Sequence, residues 1–167
     1  MNPKINPSLM LRIISDDHRP IAFDTETTGI TIRDKICGYV ITNNENSLYS
    51  PVRHEAGGNI PNAEEYEHAL ASAFKDRGRH GFRTIGHNVG FDLRICLRHG
   101  VVLYGPLEDS MINEAIISDI TMGYSLEECC ARRNVIAKKG SEVYAELARR
   151  FGGLPDRKQM KNLEARR

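Results

Sequence analysis

Asp24 and Glu26 stand one residue apart at the end of the apolar stretch Ile21-Ala22-Phe23. A strand turns successive side chains to opposite faces, so the two carboxylates share a face and repel each other. A cation relieves that repulsion, and a divalent metal held by oxygen ligands is the usual one. Asp-x-Glu alone is also common on solvated strand faces, so its surroundings decide. The segment Ile85-Gly86-His87-Asn88-Val89-Gly90-Phe91-Asp92 supplies a third acid at the start of a helix.

The elements that must position these residues can be read along the chain. A short helix or extended lead-in covers 8–15, and Pro20 introduces a strand over 21–26 that Gly29 closes. Strands over 36–42 and 47–53 are joined through Asn43-Asn44-Glu45-Asn46, a composition that suits a hairpin turn, and the result is an antiparallel meander. Asn62 caps a helix running to about 76, with Glu64 and Glu65 in its first turn, Tyr66, Leu70 and Phe74 on one side, and Gly78 as its stop. A strand over 83–87 precedes a helix over 89–99 with Phe91, Ile95 and Cys96 inward, stopped by Gly100. Another strand is expected over 101–104, then helices over 110–118, 125–133 and 141–151 and from Lys158 onward; a Ser125 and Glu128 capping box opens the second. Leading strands followed by alternating strands and helices give an α/β class, a mixed sheet flanked by helices.

A chain of 167 residues that is 40% apolar and 27% charged suits one domain, 1–167, around one core. The apolar run over 9–14 is short and broken by Arg12, which suits neither a signal peptide nor a membrane anchor, so a cytoplasmic protein without a membrane partner is expected. Cys37, Cys96, Cys129 and Cys130 include no C-x-x-C pair and read as reduced thiols. The net charge of +1 hides an asymmetry: residues 1–131 carry 12 Lys and Arg against 18 Asp and Glu, and residues 132–167 carry 11 against 4. A polyanion would be welcome at the basic end, although solvated faces of amphipathic helices show the same pattern. Neither G-x-G-x-x-G nor a P-loop occurs, which leaves a Rossmann-like small-molecule domain little support.

The whole stretch IAFDTETTGI, followed by IGHNVGFDL, resembles the first and second motifs of the DEDD (DnaQ-like) 3′-5′ exonucleases. The residues LRHGVVLYGPLEDSMINEAII and YSLEECCARRNV further resemble the proofreading exonuclease domain of family A DNA polymerases, so the likeness covers about 20–135. This resemblance implies a ribonuclease-H-like fold and an enzyme that uses two Mg²⁺ or Mn²⁺ ions to hydrolyse the 3′ end of single-stranded DNA. By the same likeness the three acids, distant in the chain, converge on one pocket in which Asp24 bridges both ions, Glu26 holds the nucleophile-side ion, and Asp92 holds the other through water. His87 and Asn88 lie near the terminal sugar and phosphate, and Thr27 joins them as a candidate contact to nucleic acid. Ile30 matches the apolar wedge between the last two bases, with core packing as its other reading.

The family's fourth carboxylate has no match. Four residues beyond Tyr104, Tyr124 and Tyr144 stand Glu108, Glu128 and Ala148, so no Tyr-x-x-x-Asp occurs, and His99 offers nothing better. The expectation is a domain cut short at its C-terminus with impaired hydrolysis. Replacement by Glu142, Glu146, Asp156 or Glu164, or a carboxylate from a partner chain, stays open. Two other functions remain beside the proofreading reading: a 3′-5′ exoribonuclease, since the motifs do not choose the sugar, and a non-catalytic module that binds nucleic acid or a DNA polymerase domain or chain.

Overall fold

The computed structural model describes residues 4–31, 33–55, 57–118, 123–136 and 140–152. A two-residue strand, β1 (Lys4–Ile5), leads into α1 (Pro7–Asp16), where the Asn6 side chain accepts the Leu9 N–H and Pro7 takes the first helical turn. The meander then follows the alternation of the sequence: β2 (Ile21–Thr27), β3 (Ile36–Thr42) and β4 (Ser47–Pro51) pair antiparallel. In the hairpin turn the Asn43 side chain accepts from the backbone N–H groups of Glu45 and Asn46.

Next come α2 (Ala63–Arg79), β5 (Thr84–Gly86) and α3 (Val89–Arg98). The described chain continues with β6 (Leu107–Asp109), α4 (Ser110–Ile117), α5 (Leu126–Arg132) and α6 (Gly140–Phe151). The six strands form one mixed sheet in the order β1-β4-β3-β2-β5-β6, with β5 parallel to β2 and to β6. Ile21 and Phe23 of β2 and Tyr39 and Ile41 of β3 turn to one face and pack with Met10, Ile14, Leu70, Phe74 and Ile95. That face is the core, buried under α1, α2 and α3. Among the described residues no helix is long and apolar enough to cross a membrane.

Two expectations need correction. Gly78 does not stop α2; it lies inside the helix, at a position where a Cβ would collide with Tyr104 and crowd the backbone N of Gly105. Residues 101–104 form no strand: Val101 and Leu103 are buried as core residues, and the ladder with β5 is made by β6 instead. Of the two readings over 8–15, the structure takes the helix, capped by Asn6. The expected helix from Lys158 lies outside the described residues.

Candidate active site

β2 divides the three acids of the motifs. Ala22, Asp24 and Glu26 point to the open face, while Phe23 and Thr25 point to the core. Antiparallel pairing sets Asp24 in a row with Val40 and Tyr49, and Glu26 in a row with Gly38 and Pro51. The register shifts between Glu26 and Thr27, a bulge that bends the strand end where the acids sit. Asp24 is exposed and shares an open cleft with Val40, Ile85, His87, Ser110 and Leu126.

Asp92 lies in the first turn of α3 and is 2% exposed. Its Oδ1 accepts hydrogen bonds from Thr25 N at 3.0 Å and from Thr25 Oγ1 at 2.6 Å. Burial pushes its carboxyl up to about 7, against the Thr25 bonds and with the help of the Asp24 charge. The structure therefore sets Asp24 and Glu26 side by side and puts Asp92 within reach of Asp24's charge. It leaves the Asp92 carboxylate engaged with Thr25 on the other side of the strand. Among the described residues, no group of three His, Cys, Asp or Glu side chains is placed to hold one metal ion.

The other expected contacts are arranged as follows. Thr27 Oγ1 donates to Gly29 O at 2.6 Å, closing the turn. Ile30 stands 71% exposed, which removes its core reading. Beside it Asp34 clamps the loop through Thr28 Oγ1 and through Thr31 N and Oγ1, and a Cβ on Gly29 would come within 2.7 Å of that carboxylate. His87 uses both ring nitrogens, on Ser110 Oγ and Tyr124 O, each at 2.9 Å. Asn88, at φ 59, is exposed and its side chain makes no cap bond.

Three positioning residues were not singled out in the sequence. Thr25 fixes Asp92; its place between the two acids, on the alternate face, was the available signal. Asp109 accepts from Asn88 N, Val89 N and Met111 N, each at 2.9 Å, so one carboxylate caps both α3 and α4. The Asp-x-Met that it opens was visible, but its capping role was not. Tyr49 lies over Gly38, where any Cβ would collide with its ring, and bonds His54 Nε2. Burial, and then the charge of Glu26, push the Tyr49 phenol upward.

For the fourth carboxylate, Glu146 is paired with Arg149 and Arg150 on α6. The Glu142 side chain, Asp156 and Glu164 lie outside the described residues.

Residues 8–159 match the family described as 3′-5′ exonuclease of the DNA polymerase A type. The chain belongs to this family. Two phage proteins named DNA polymerase DpoZ are similar in sequence: that of Salmonella phage PMBT28 is 31% identical over 147 residues, 86% of this chain and 21% of its own length. That of Vibrio phage phiVC8 is 32% identical over 157 residues, 85% of this chain and 23% of its own. The chain thus spans about a fifth of the length of these relatives. Among solved structures, Brucella melitensis NrnC with bound Mg²⁺ superposes at TM-score 0.58 with 20% identity, covering 82% of this chain and 62% of that one. The EXO domain of Aedes aegypti Nibbler superposes at 0.59 with 14% identity, covering 98% and 79%. These likenesses show the ribonuclease-H-like exonuclease fold.

Proposed function

We propose that this exonuclease-family chain hydrolyses the 3′ end of single-stranded DNA as the proofreading part of a phage-type DNA polymerase, in the cytoplasm. What carries the reading is the pairing of Asp24 and Glu26 on an open sheet face, with buried Asp92 feeling the Asp24 charge. Their all-oxygen donor set suits hard Mg²⁺ or Mn²⁺, although the rotamer of Asp92 here is spent on Thr25. Asp24, Glu26 and Asp92 would hold the ions, two by the family's pattern. When bound, such ions supply a more acidic, positioned water and stabilise the leaving oxygen. Asp24 and Glu26 concentrate negative charge where the cations bind. Exposed Asn88 and Ile30 flank the acids and would hold the terminal nucleotide, while Thr27 and His87 hold the turn and the helix ends around it. Among the described residues three carboxylates stand where the family has four, and slow cleavage by this chain alone is the expected outcome.

The test is digestion of 5′-labelled single-stranded DNA and RNA in Mn²⁺. The expected result is a ladder shortening from the 3′ end, faster on DNA and lost in Asp24→Ala. Unchanged cleavage by Asp24→Ala would reject the assigned site; faster RNA trimming would move the substrate to RNA. A second reading, a non-catalytic module that binds nucleic acid or a polymerase chain, is favoured by the Asp92–Thr25 engagement and the basic C-terminal segment. Its mark is tight, salt-sensitive binding without cleavage.

A further inference from the structure

A separate shallow cleft runs between the loop after β2 and α3, lined by Ile30, Thr31, Phe91, Arg94, Ile95 and Arg98. Its floor is apolar and includes one aromatic ring. Arg94 and Arg98 are one helical turn apart, so both line the same rim. Arg94 Nε donates to Gly90 O at 3.1 Å and Arg98 Nη1 to Asp34 O at 3.3 Å. Both partners are backbone carbonyls, and no salt bridge among the described residues involves either guanidinium. Asp34, the acid next to Arg98, turns its carboxylate into the loop toward Thr28 and Thr31. By contrast, Arg19, Arg53, Arg79, Arg83, Arg132 and Arg133 are each paired with a carboxylate.

An apolar floor under two cations that lack carboxylate partners is complementary to a nucleotide unit, with a flat base against Phe91 and Ile30 and phosphates on the guanidinium forks. We propose that Arg94 and Arg98 form a phosphate clamp that leads a single strand across the Ile30–Phe91 cleft toward the acids. This rests on the nucleic-acid reading above and adds the path by which the strand arrives. An acidic peptide would satisfy the arginines and leave the aromatic floor unused. Phe91 of the cleft precedes Asp92 on α3, and Ile30 follows Glu26 by four residues, so the proposed path ends near the acids.

The test measures binding of a labelled oligo-dT to the full chain by fluorescence anisotropy, in EDTA so that cleavage plays no part, across 25 to 200 mM KCl. Each phosphate contact on a single strand contributes about 0.7 to the slope of log affinity against log salt. Arg94→Ala with Arg98→Ala is expected to lower the slope by about 1.4 and to weaken binding about tenfold at low salt. The charge-matched control, Arg12→Ala on α1 with Lys75→Ala on α2, both outside the cleft lining, leaves both values as in the wild type. Arg94→Lys with Arg98→Lys keeps the slope. An unchanged slope in the double alanine variant, or wild-type chain that does not bind the strand, overturns the proposal. Loss of polyglutamate binding with oligo-dT binding intact overturns it in favour of a peptide. A failure of the nuclease reading looks different: no ladder in Mn²⁺, with the salt slope and its loss in the variant preserved.

Discussion

Thr25 donates twice to the buried Asp92 carboxylate, and one of those bonds comes from its hydroxyl. A hydrogen bond to a charged group contributes about 2 kcal/mol, and a buried acceptor left short of a donor is costly. Thr25→Val, which keeps the shape, is therefore expected to lower the urea unfolding free energy by about 2 kcal/mol, and Thr25→Ser to restore most of it. Equal stability of all three would mean that Asp92 is held by something else. Ile30, at 71% exposure, belongs to the opposite case. Ile30→Ala should change stability by less than about 0.5 kcal/mol while slowing removal of the 3′ nucleotide from DNA; an unchanged rate on frayed and paired ends would leave Ile30 without a role. At this scale the sequence was informative about which acids matter, because alternation places Asp24 and Glu26 together. It did not reveal that Thr25 would claim the Asp92 carboxylate, because a contact between residues 67 positions apart leaves no local pattern.

Glu67 of α2 ties three elements together. Its carboxylate accepts from Tyr39 of β3 and from both terminal nitrogens of Arg53, each at 2.6 Å, and lies 3.2 Å from His99 Nδ1 at the end of α3. Burial alone would push its carboxyl up, but the hydrogen bonds from Arg53, His99 and Tyr39 prevail and hold it at about 2, below its ordinary 4.5. A depressed folded-state value means stability that is fully present above about 4.5 and is lost as pH falls toward 2. Urea midpoints at pH 6 and pH 3 should show that loss, and Glu67→Gln should flatten it; an equal pH 3 loss in the variant would assign the effect to other groups. Gly78→Ala separates helix propensity from packing. Propensity favours Ala by about 1 kcal/mol. The collision with Tyr104 and the Gly105 backbone outweighs it, and a net loss of about 1 to 2 kcal/mol is expected in thermal or urea unfolding. A stabilised variant would show that the loop gives way. The strands of the meander, α3 and the α5 capping box were legible because alternation, Asn-rich turns and caps are local signals. The end of α2 and the place of β6 were not, since both are set by how the 101–106 segment packs against α2.

The described chain is a sheet with one face buried under α1, α2 and α3 and the other carrying Asp24 and Glu26. Arg77 braces the buried side. Fully buried, it donates to the carbonyls of Ile14, Asp17, Arg19 and Arg83 and to Thr84 Oγ1, joining α2 to the turn before β2 and to the start of β5. Burial lowers its guanidinium to about 10, against the opposing charge of Asp17. Its removal as Arg77→Met strands several carbonyls and is expected to cost about 3 kcal/mol or more, read in urea unfolding; a loss under 1 kcal/mol would show that the turn rearranges. The fold class was legible from the order of elements, and the six-strand order followed once the parallel β2–β5–β6 pairings were known. The central claim, that Asp24 and Glu26 gather a catalytic cation on the open face, is tested most directly by anomalous scattering from crystals soaked in Mn²⁺. A manganese peak bonded to oxygens of both Asp24 and Glu26 is expected. A well-soaked crystal with no peak on that face, or with manganese bound only elsewhere, would contradict it.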